Sequence, residues 1–220
     1  MYQTIIFDLD GTISDSGLGI MNTAVHTLEK FGITVSDRSE LRKFIGPPLQ
    51  YSFSQFYGLS EEDTAKAVAY YRAYYSEKGL YENTLYDGMA DLLRKLHEEG
   101  YRLIVATSKL EPFAVRILQH FGVAQYFTFI AGSNADTTRS SKEEVLAYAL
   151  EKGNVTDRTS AVMVGDREYD IIGAKAAGLD SVGVLYGYGS RKELEAAGAT
   201  YIAPEVPDLL RILHRACKQK

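Results

Sequence analysis

The chain has 220 residues, 45% hydrophobic and 24% charged, with a formal net charge of -5. That length supports one sizeable core, or a core with a smaller insertion, and the composition excludes long disorder. The acidic balance excludes a broad nucleic-acid or anionic-membrane surface, which needs clustered Lys and Arg, but leaves room for one small phosphate ligand.

The first apolar run, 3–8, reads as a strand that ends in Asp8-Leu9-Asp10-Gly11-Thr12. At the carboxyl end of a parallel strand, two acids one residue apart repel each other at the mouth of the ligand crevice. A divalent cation and a transferring phosphoryl group are the usual users of such an arrangement.

About 80 residues then intervene before the next strand, far beyond an ordinary crossover, so this segment is a domain of its own. Between 15 and 86 it reads as helices at 17–31, 37–45, 48–57 and 61–78, with no convincing strand. Tyr51, Tyr57, Tyr70, Tyr71, Tyr74, Tyr75, Tyr81 and Tyr86 cluster here, a pattern that favours packing between the helices of the insertion over ligand contact. Arg42 and Lys43 precede the rigid turn Gly46-Pro47-Pro48.

From 88 onward, helices at 88–99, 111–121, 141–152 and 169–177 alternate with strands at 101–107, 127–131, 160–164 and 181–185. Glycines follow the helices at Gly100, Gly122, Gly153 and Gly178, residues suited to left-handed C-caps. The reading is a three-layer α/β fold: a doubly wound parallel sheet core over 1–14 and 87–220, with an all-helical insertion over 15–86.

Three further strand ends carry polar residues. Strand 101–107 runs into Thr107-Ser108-Lys109, where a hydroxyl and the free N–H groups of the following helix suit an anion. Lys142 opens helix 141–152, an unfavourable place for an ammonium unless it reaches toward an anion. Strand 160–164 runs into Gly165-Asp166, and Asp170 follows at i+4, so one helical turn puts both acids on one side. Singly, these read as a helix cap, a solvated lysine and first-turn acids. Together they place four acids, a hydroxyl and a lysine at the strand ends of one sheet.

D-x-D-G-T at 8–12, Thr107-Ser108, Lys142 and G-D-x-x-x-D at 165–170 resemble the haloacid dehalogenase superfamily, with a type 1 helical cap after the first motif. Asp87-Gly88-Met89 and Thr107-Ser108-Lys109 look most like its phosphoglycolate phosphatase-like subgroup. The resemblance implies a phosphomonoester hydrolase in which Asp8 is the nucleophile and Asp10, its pKa raised by acidic neighbours, the acid and base. It implies phosphate binding by Thr107, Ser108 and Lys142, and Mg²⁺ held by Asp8, Asp10 through its carbonyl, Asp166 and Asp170. It also turns a cap segment such as Arg42 and Lys43 toward substrate.

A small phosphoglycolate-like metabolite is the first substrate implied; a nucleoside 5′-monophosphate and then a sugar-phosphate mutase reaction are the alternatives. A phosphorylated receiver-type switch gathers similar residues, but the paired acids followed by Gly-Thr and the long insertion weigh against it. His26, His97, His120 and His214 all fall in helical stretches away from the strand ends. The single cysteine, Cys217, excludes an intramolecular disulfide and a C-x-x-C metal site. No apolar run reaches the ~18 residues of a membrane span, and the chain enters its first strand without a basic leader. These features lead to the expectation of a cytoplasmic protein, monomer or homodimer, with no nucleic-acid or membrane partner.

Overall fold

The computed structural model describes residues 2–136 and 138–216; Cys217 lies outside them. The chain divides into two compact units, Met1–Asp15 with Leu85–Lys220, and Ser16–Thr84.

The larger unit is built on β1 (Thr4–Phe7), β4 (Arg102–Leu110), β5 (Phe127–Ser133), β6 (Ala161–Gly165), β7 (Asp180–Val184) and β8 (Tyr201–Ala203), in the order β5-β4-β1-β6-β7-β8. Every neighbouring pair is parallel. Helices α4 (Met89–Glu98), α5 (Glu111–His120), α6 (Lys142–Lys152), α7 (Glu168–Ala176) and α8 (Arg191–Ala197) lie between the strands, and α9 (Val206–Ala216) follows β8. The β1 run is buried throughout, as are the β6 residues, because helices cover both faces of a parallel sheet. One face packs Ile6, Ile104, Ala106, Met163 and Ala131 against Val145, Leu146, Ala149 and Leu150 of α6. The expected layered α/β fold is present, and His214 falls in a helix, α9, as expected; β8 and α8 are elements that the sequence does not predict.

The register sets the levels. Phe7 pairs with Val105 on one side and Val164 on the other, so Asp8, Ala106 and Gly165 emerge at one height. The chain proceeds outward in opposite directions on the two sides of β1, which makes its carboxyl end a switch point where ligand crevices form.

Two local expectations change. Strand β4 continues through Thr107, Ser108 and Lys109 to Leu110, with a register irregularity after Ala106, while α5 starts at Glu111 as expected. The N–H of Ser108 therefore belongs to an extended segment, not to a helix start. Gly153 is not left-handed: it is right-handed at φ -75, and Asn154 takes the positive φ of 51. A Cβ at Gly153 would lie 2.5 Å from Ile104 Cδ1 and 2.7 Å from Ala149 O, so the glycine is needed for close approach.

The smaller unit contains α1 (Gly17–Glu29), a 3₁₀ turn Arg38–Phe44, α2 (Leu49–Tyr57), α3 (Glu61–Tyr74) and a π-helical turn Tyr75–Gly79. The 3₁₀ turn replaces the expected helix 37–45, and the π turn ends the expected helix 61–78. The absence of strands between 15 and 86 is also corrected: Thr84–Leu85 (β3) pairs with Ser14–Asp15 (β2). Tyrosines pack as expected between helices, Tyr71 and Tyr75 being buried with rings 5.8 Å apart at 11°. Tyr74 stacks on His26 at 4.1 Å. Tyr51, Tyr70 and Tyr81 are exposed instead, and Tyr86 falls in the larger unit.

Gly153→Ala is expected to destabilise the protein by about 1–3 kcal/mol through overpacking against Ile104. Asn154→Ala should cost about 1–2 kcal/mol through its left-handed backbone. Urea unfolding of both variants measures this, and a neutral Gly153→Ala would contradict the packing argument.

Candidate active site

The carboxyl ends of β1, β4 and β6 bring Asp8, Asp10, Thr107, Ser108, Lys109 and Asp166 to one edge of the sheet, and α6 and α7 add Lys142 and Asp170 from their first turns. Asp8 is 7% exposed, Lys142 7%, and Asp166 and Asp170 are fully buried. Carboxylate oxygens of Asp8, Asp166 and Asp170 all lie within 4.8 Å of one another.

Lys142 fills the gap in this cluster. Its Nζ is 2.8 Å from Asp8 Oδ1 and 2.7 Å from Asp170 Oδ1, and it donates a hydrogen bond to Ala106 O at 3.0 Å. Ser141 caps α6 by accepting from the Glu144 N–H, while Glu144 accepts in return from the N–H groups of Ser140 and Ser141. The ammonium at the start of this helix is thus accounted for by the two carboxylates it meets.

Asp166 and Asp170 converge, though not as neighbours on one helical face. Asp166 precedes α7, whose N-cap is Arg167, and the Arg167 N–H donates to Asp170 Oδ2 at 3.1 Å. Asp166 accepts from the Tyr188 N–H at 2.8 Å and from Thr12 Oγ1 at 3.3 Å.

Electrostatics follow from burial. Loss of water pushes the Asp8 carboxyl up to about 6, with Lys142 opposing and the charges of Asp170 and Asp10 adding. Burial, then Asp170 and Asp8, push Asp166 well above the usual carboxylate range. Burial disfavours the Lys142 ammonium, but Asp170 and Asp8 more than offset it, so its pKa is raised.

Three buried acids against one lysine leave an excess of negative charge. All their donors are hard oxygens, the set that suits Mg²⁺. Asp10 stands apart from that cluster. Its carboxylate is 3.0 Å from Lys109 Nζ, whose side chain is almost wholly buried, and its charge is also felt by Asp8.

In the sequence Lys109 stands out only as part of the Thr107-Ser108-Lys109 motif, because its link to Asp10 is a through-space contact. Thr107 is buried, and its Oγ1 accepts from the Lys109 N–H at 3.3 Å. The loop Leu185–Ser190 was also missed: Tyr188 reaches Asp166, and Tyr186 donates to Thr12 O at 3.0 Å. Burial pushes the hydroxyls of Tyr86, Tyr186 and Tyr188 above their ordinary range, so they remain neutral.

Arg42 and Lys43 belong to the smaller unit. Arg42 is exposed, and the Lys43 ammonium lies 4.7 Å over the Tyr57 ring and 5.0 Å over that of Phe56. His26 stacks on Tyr74, and His214 lies 2.8 Å from Glu99. Among the described residues no helix is long and apolar enough to cross a membrane.

Residues 5–184 match the haloacid dehalogenase-like hydrolase family. A 5′-nucleotidase of Pseudomonas aeruginosa is 40% identical over 212 residues, covering 96% of each chain. The tyrosine-protein kinase PtkA of Mycobacterium tuberculosis is 42% identical over 200 residues, 91% of this chain and 68% of that protein. The crystal structure of a predicted phosphatase from Clostridium acetobutylicum superposes with a TM-score of 0.93 at 46% identity, covering 98% of this chain and 99% of that one. The chain belongs to the haloacid dehalogenase-like hydrolase family.

Proposed function

We propose that the protein hydrolyses a small phosphate monoester through a phosphorylated Asp8, with Mg²⁺ bound beside it. The observation that carries this reading is the buried cluster of Asp8, Asp166 and Asp170 bridged by Lys142, with Asp10 and Lys109 paired next to it.

Asp8 attacks phosphorus in line; the bond to the leaving oxygen breaks as the bond to the carboxylate forms. Asp10 gives the leaving oxygen a proton, then accepts one from the water that attacks the aspartyl-phosphate, and phosphate departs with the Asp8 carboxylate restored. Thr107, the Ser108 N–H and Lys142 hold the equatorial oxygens as charge spreads over them. Asp8, Asp166 and Asp170, with the Asp10 carbonyl, hold Mg²⁺, which when bound neutralises the excess charge and lets the anionic carboxylate meet an anionic phosphate.

A nucleoside 5′-monophosphate is the first substrate class, supported by the full-length similarity to a 5′-nucleotidase. A phosphoglycolate-like acid, put first by the motif resemblance, is the second. The smaller unit supplies no clear anion site of its own in Lys43, whose charge is engaged by two aromatic faces. Of the two cations that the resemblance turns toward substrate, Arg42 is the exposed one. The similarity to a protein named a tyrosine kinase makes the phosphoryl acceptor a quantity to measure alongside the donor.

Steady-state phosphate release with Mg²⁺, across nucleoside 5′-monophosphates, phosphoglycolate and hexose phosphates, tests the reading. One mole of phosphate released per mole of substrate consumed identifies water as acceptor. Asp8→Asn should lower kcat by at least roughly a thousandfold while keeping the native circular dichroism spectrum, and wild-type turnover in that variant overturns the assignment.

The raised carboxyl of Asp8 gives a second expectation. Because its folded-state pKa, about 6, lies above the unfolded value of 3.8, the native state binds more protons between them. The metal-free protein should therefore gain stability from this group as the pH falls from about 6.5 toward 4, the opposite of a salt-bridged carboxylate held low. Thermal unfolding in EDTA across that range checks the sign, and a Tm that falls over the whole interval refutes it.

A further inference from the structure

The loop Leu185–Ser190, between β7 and α8, lies flat on the two motifs that carry the acids. A Cβ at Gly187 would sit 2.3 Å from Gly11 O and 2.4 Å from Asp166 Cβ, and one at Gly189 would sit 1.9 Å from Asp166 O. Backbone approach this close is possible only because neither residue carries a side chain. Between them, the Tyr188 N–H donates to Asp166 Oδ2 at 2.8 Å.

Both tyrosines of the loop then tie it to the segment that follows the first motif. Tyr186 Oη donates to Thr12 O at 3.0 Å, and Tyr188 Oη donates to Asp15 Oδ1 at 2.6 Å. The Tyr186 ring meets that of Tyr86 edge to face at 4.7 Å. Gly11, with φ +84, completes the stack: a Cβ there would lie 2.2 Å from Asp166 Oδ2 and 2.7 Å from Tyr188 Cδ2.

We propose that this loop is a strap whose Tyr188 N–H, anchored through the Tyr186 and Tyr188 hydroxyls, fixes the Asp166 carboxylate in the orientation that holds the divalent cation. Tyr186 and Tyr188 are positioning residues, since they reach the site through Asp166, Thr12 and Asp15. The physical reason is that the Thr12 hydroxyl, 3.3 Å from Asp166 Oδ1, is a rotatable donor that can follow a turning carboxylate, whereas the Tyr188 N–H on Oδ2 is fixed in the backbone. A fixed backbone donor on one oxygen leaves the other oxygen a defined direction. Outer-shell donors of this kind commonly change metal affinity by about 10–100-fold when removed. The inference rests on the reading of Asp8, Asp166 and Asp170 as metal ligands, and it adds residues that no motif marks.

The test measures metal binding without turnover. Mn²⁺ binding is followed by the loss of its free electron paramagnetic resonance signal, and Mg²⁺ by competition, in the wild type, Gly187→Ala and the double variant Tyr186→Phe/Tyr188→Phe. Gly187→Ala lifts the N–H from Asp166; the double variant keeps the rings and removes only the anchoring hydroxyls. The expected result is a Kd for Mn²⁺ raised at least tenfold in Gly187→Ala and about three- to tenfold in the double variant. The substrate KM at saturating Mg²⁺ should move less than twofold, and a loss of packing alone would not separate these two readouts.

If Gly187→Ala fails to fold, the double variant decides. A Kd within twofold of the wild type in the double variant overturns the strap, and so does a wild type that binds no Mn²⁺. If metal binding weakens as expected while no member of the phosphate panel is hydrolysed by the wild type, the strap stands and the hydrolase reading falls.

Discussion

One buried ammonium organises the catalytic edge of the sheet. Lys142 Nζ stands between Asp8 and Asp170, within 2.8 Å of each, in surroundings from which water is almost wholly removed. Without it, three carboxylates packed within 4.8 Å of one another would have hydrogen-bond donors on Asp166 and Asp170 but no cation among them in a poorly polarisable interior. With it, the ionised state of Asp8 is reachable near neutral pH even though burial drives it the other way. Removing one partner of such a buried group typically costs about 3–5 kcal/mol, because the charge left behind has no solvent to turn to. The elements around Lys142 serve its placement: the capping box at Ser141 and Glu144 starts the helix at the right residue. The bond to Ala106 O fixes the ammonium at the level where β1 ends.

The register of three strands turns that single contact into a site. Because Phe7 is level with both Val105 and Val164, the residues just beyond them arrive together without any loop having to fold back. The rest is achieved by close approach, through Gly11, Gly165, Gly187 and Gly189, where any side chain would strike Asp166 or Asp170. An acid cluster built this way is rigid, and rigidity suits charges that must not move apart to relieve repulsion.

Much of this was legible in the chain. The strands of the parallel sheet announce themselves as short β-branched runs, and the acids at their ends keep their chemical meaning wherever the strand stops. What escaped has physical causes. A three-residue edge strand such as Tyr201–Ala203 carries too few positions for periodicity to register. The 3₁₀ turn Arg38–Phe44 and the π turn Tyr75–Gly79 differ from an α-helix in hydrogen-bond spacing, to which the apolar pattern is nearly blind. At Gly153 the glycine signal was real but had another origin, close packing on Ile104, and the left-handed residue is its neighbour Asn154. Lys109 and Tyr188 were invisible as site residues for a simpler reason. Each acts through a partner distant in sequence, Asp10 for one and Asp15 and Asp166 for the other, and spacing carries no trace of such contacts.

The two lysines divide the first motif between them, and that division bears on the proposed reaction. Lys142 pairs with Asp8 and Lys109 with Asp10, so each of the paired acids has its own cation and the two carboxylates, two residues apart, are held to different partners. As Asp8 becomes an acyl phosphate its negative charge passes to the phosphoryl oxygens. The Lys142 ammonium, already hydrogen-bonded to Ala106 O and paired with Asp170, can follow that charge without being released from its place. In the proposed reaction Lys109 stays beside Asp10 while that carboxyl gives up and regains a proton. A single cation shared by both acids could not do this, because stabilising the phosphoryl group would then be coupled to every change of protonation at Asp10. Separate counter-ions let charge transfer at phosphorus and proton transfer at oxygen proceed as distinct events within one buried site.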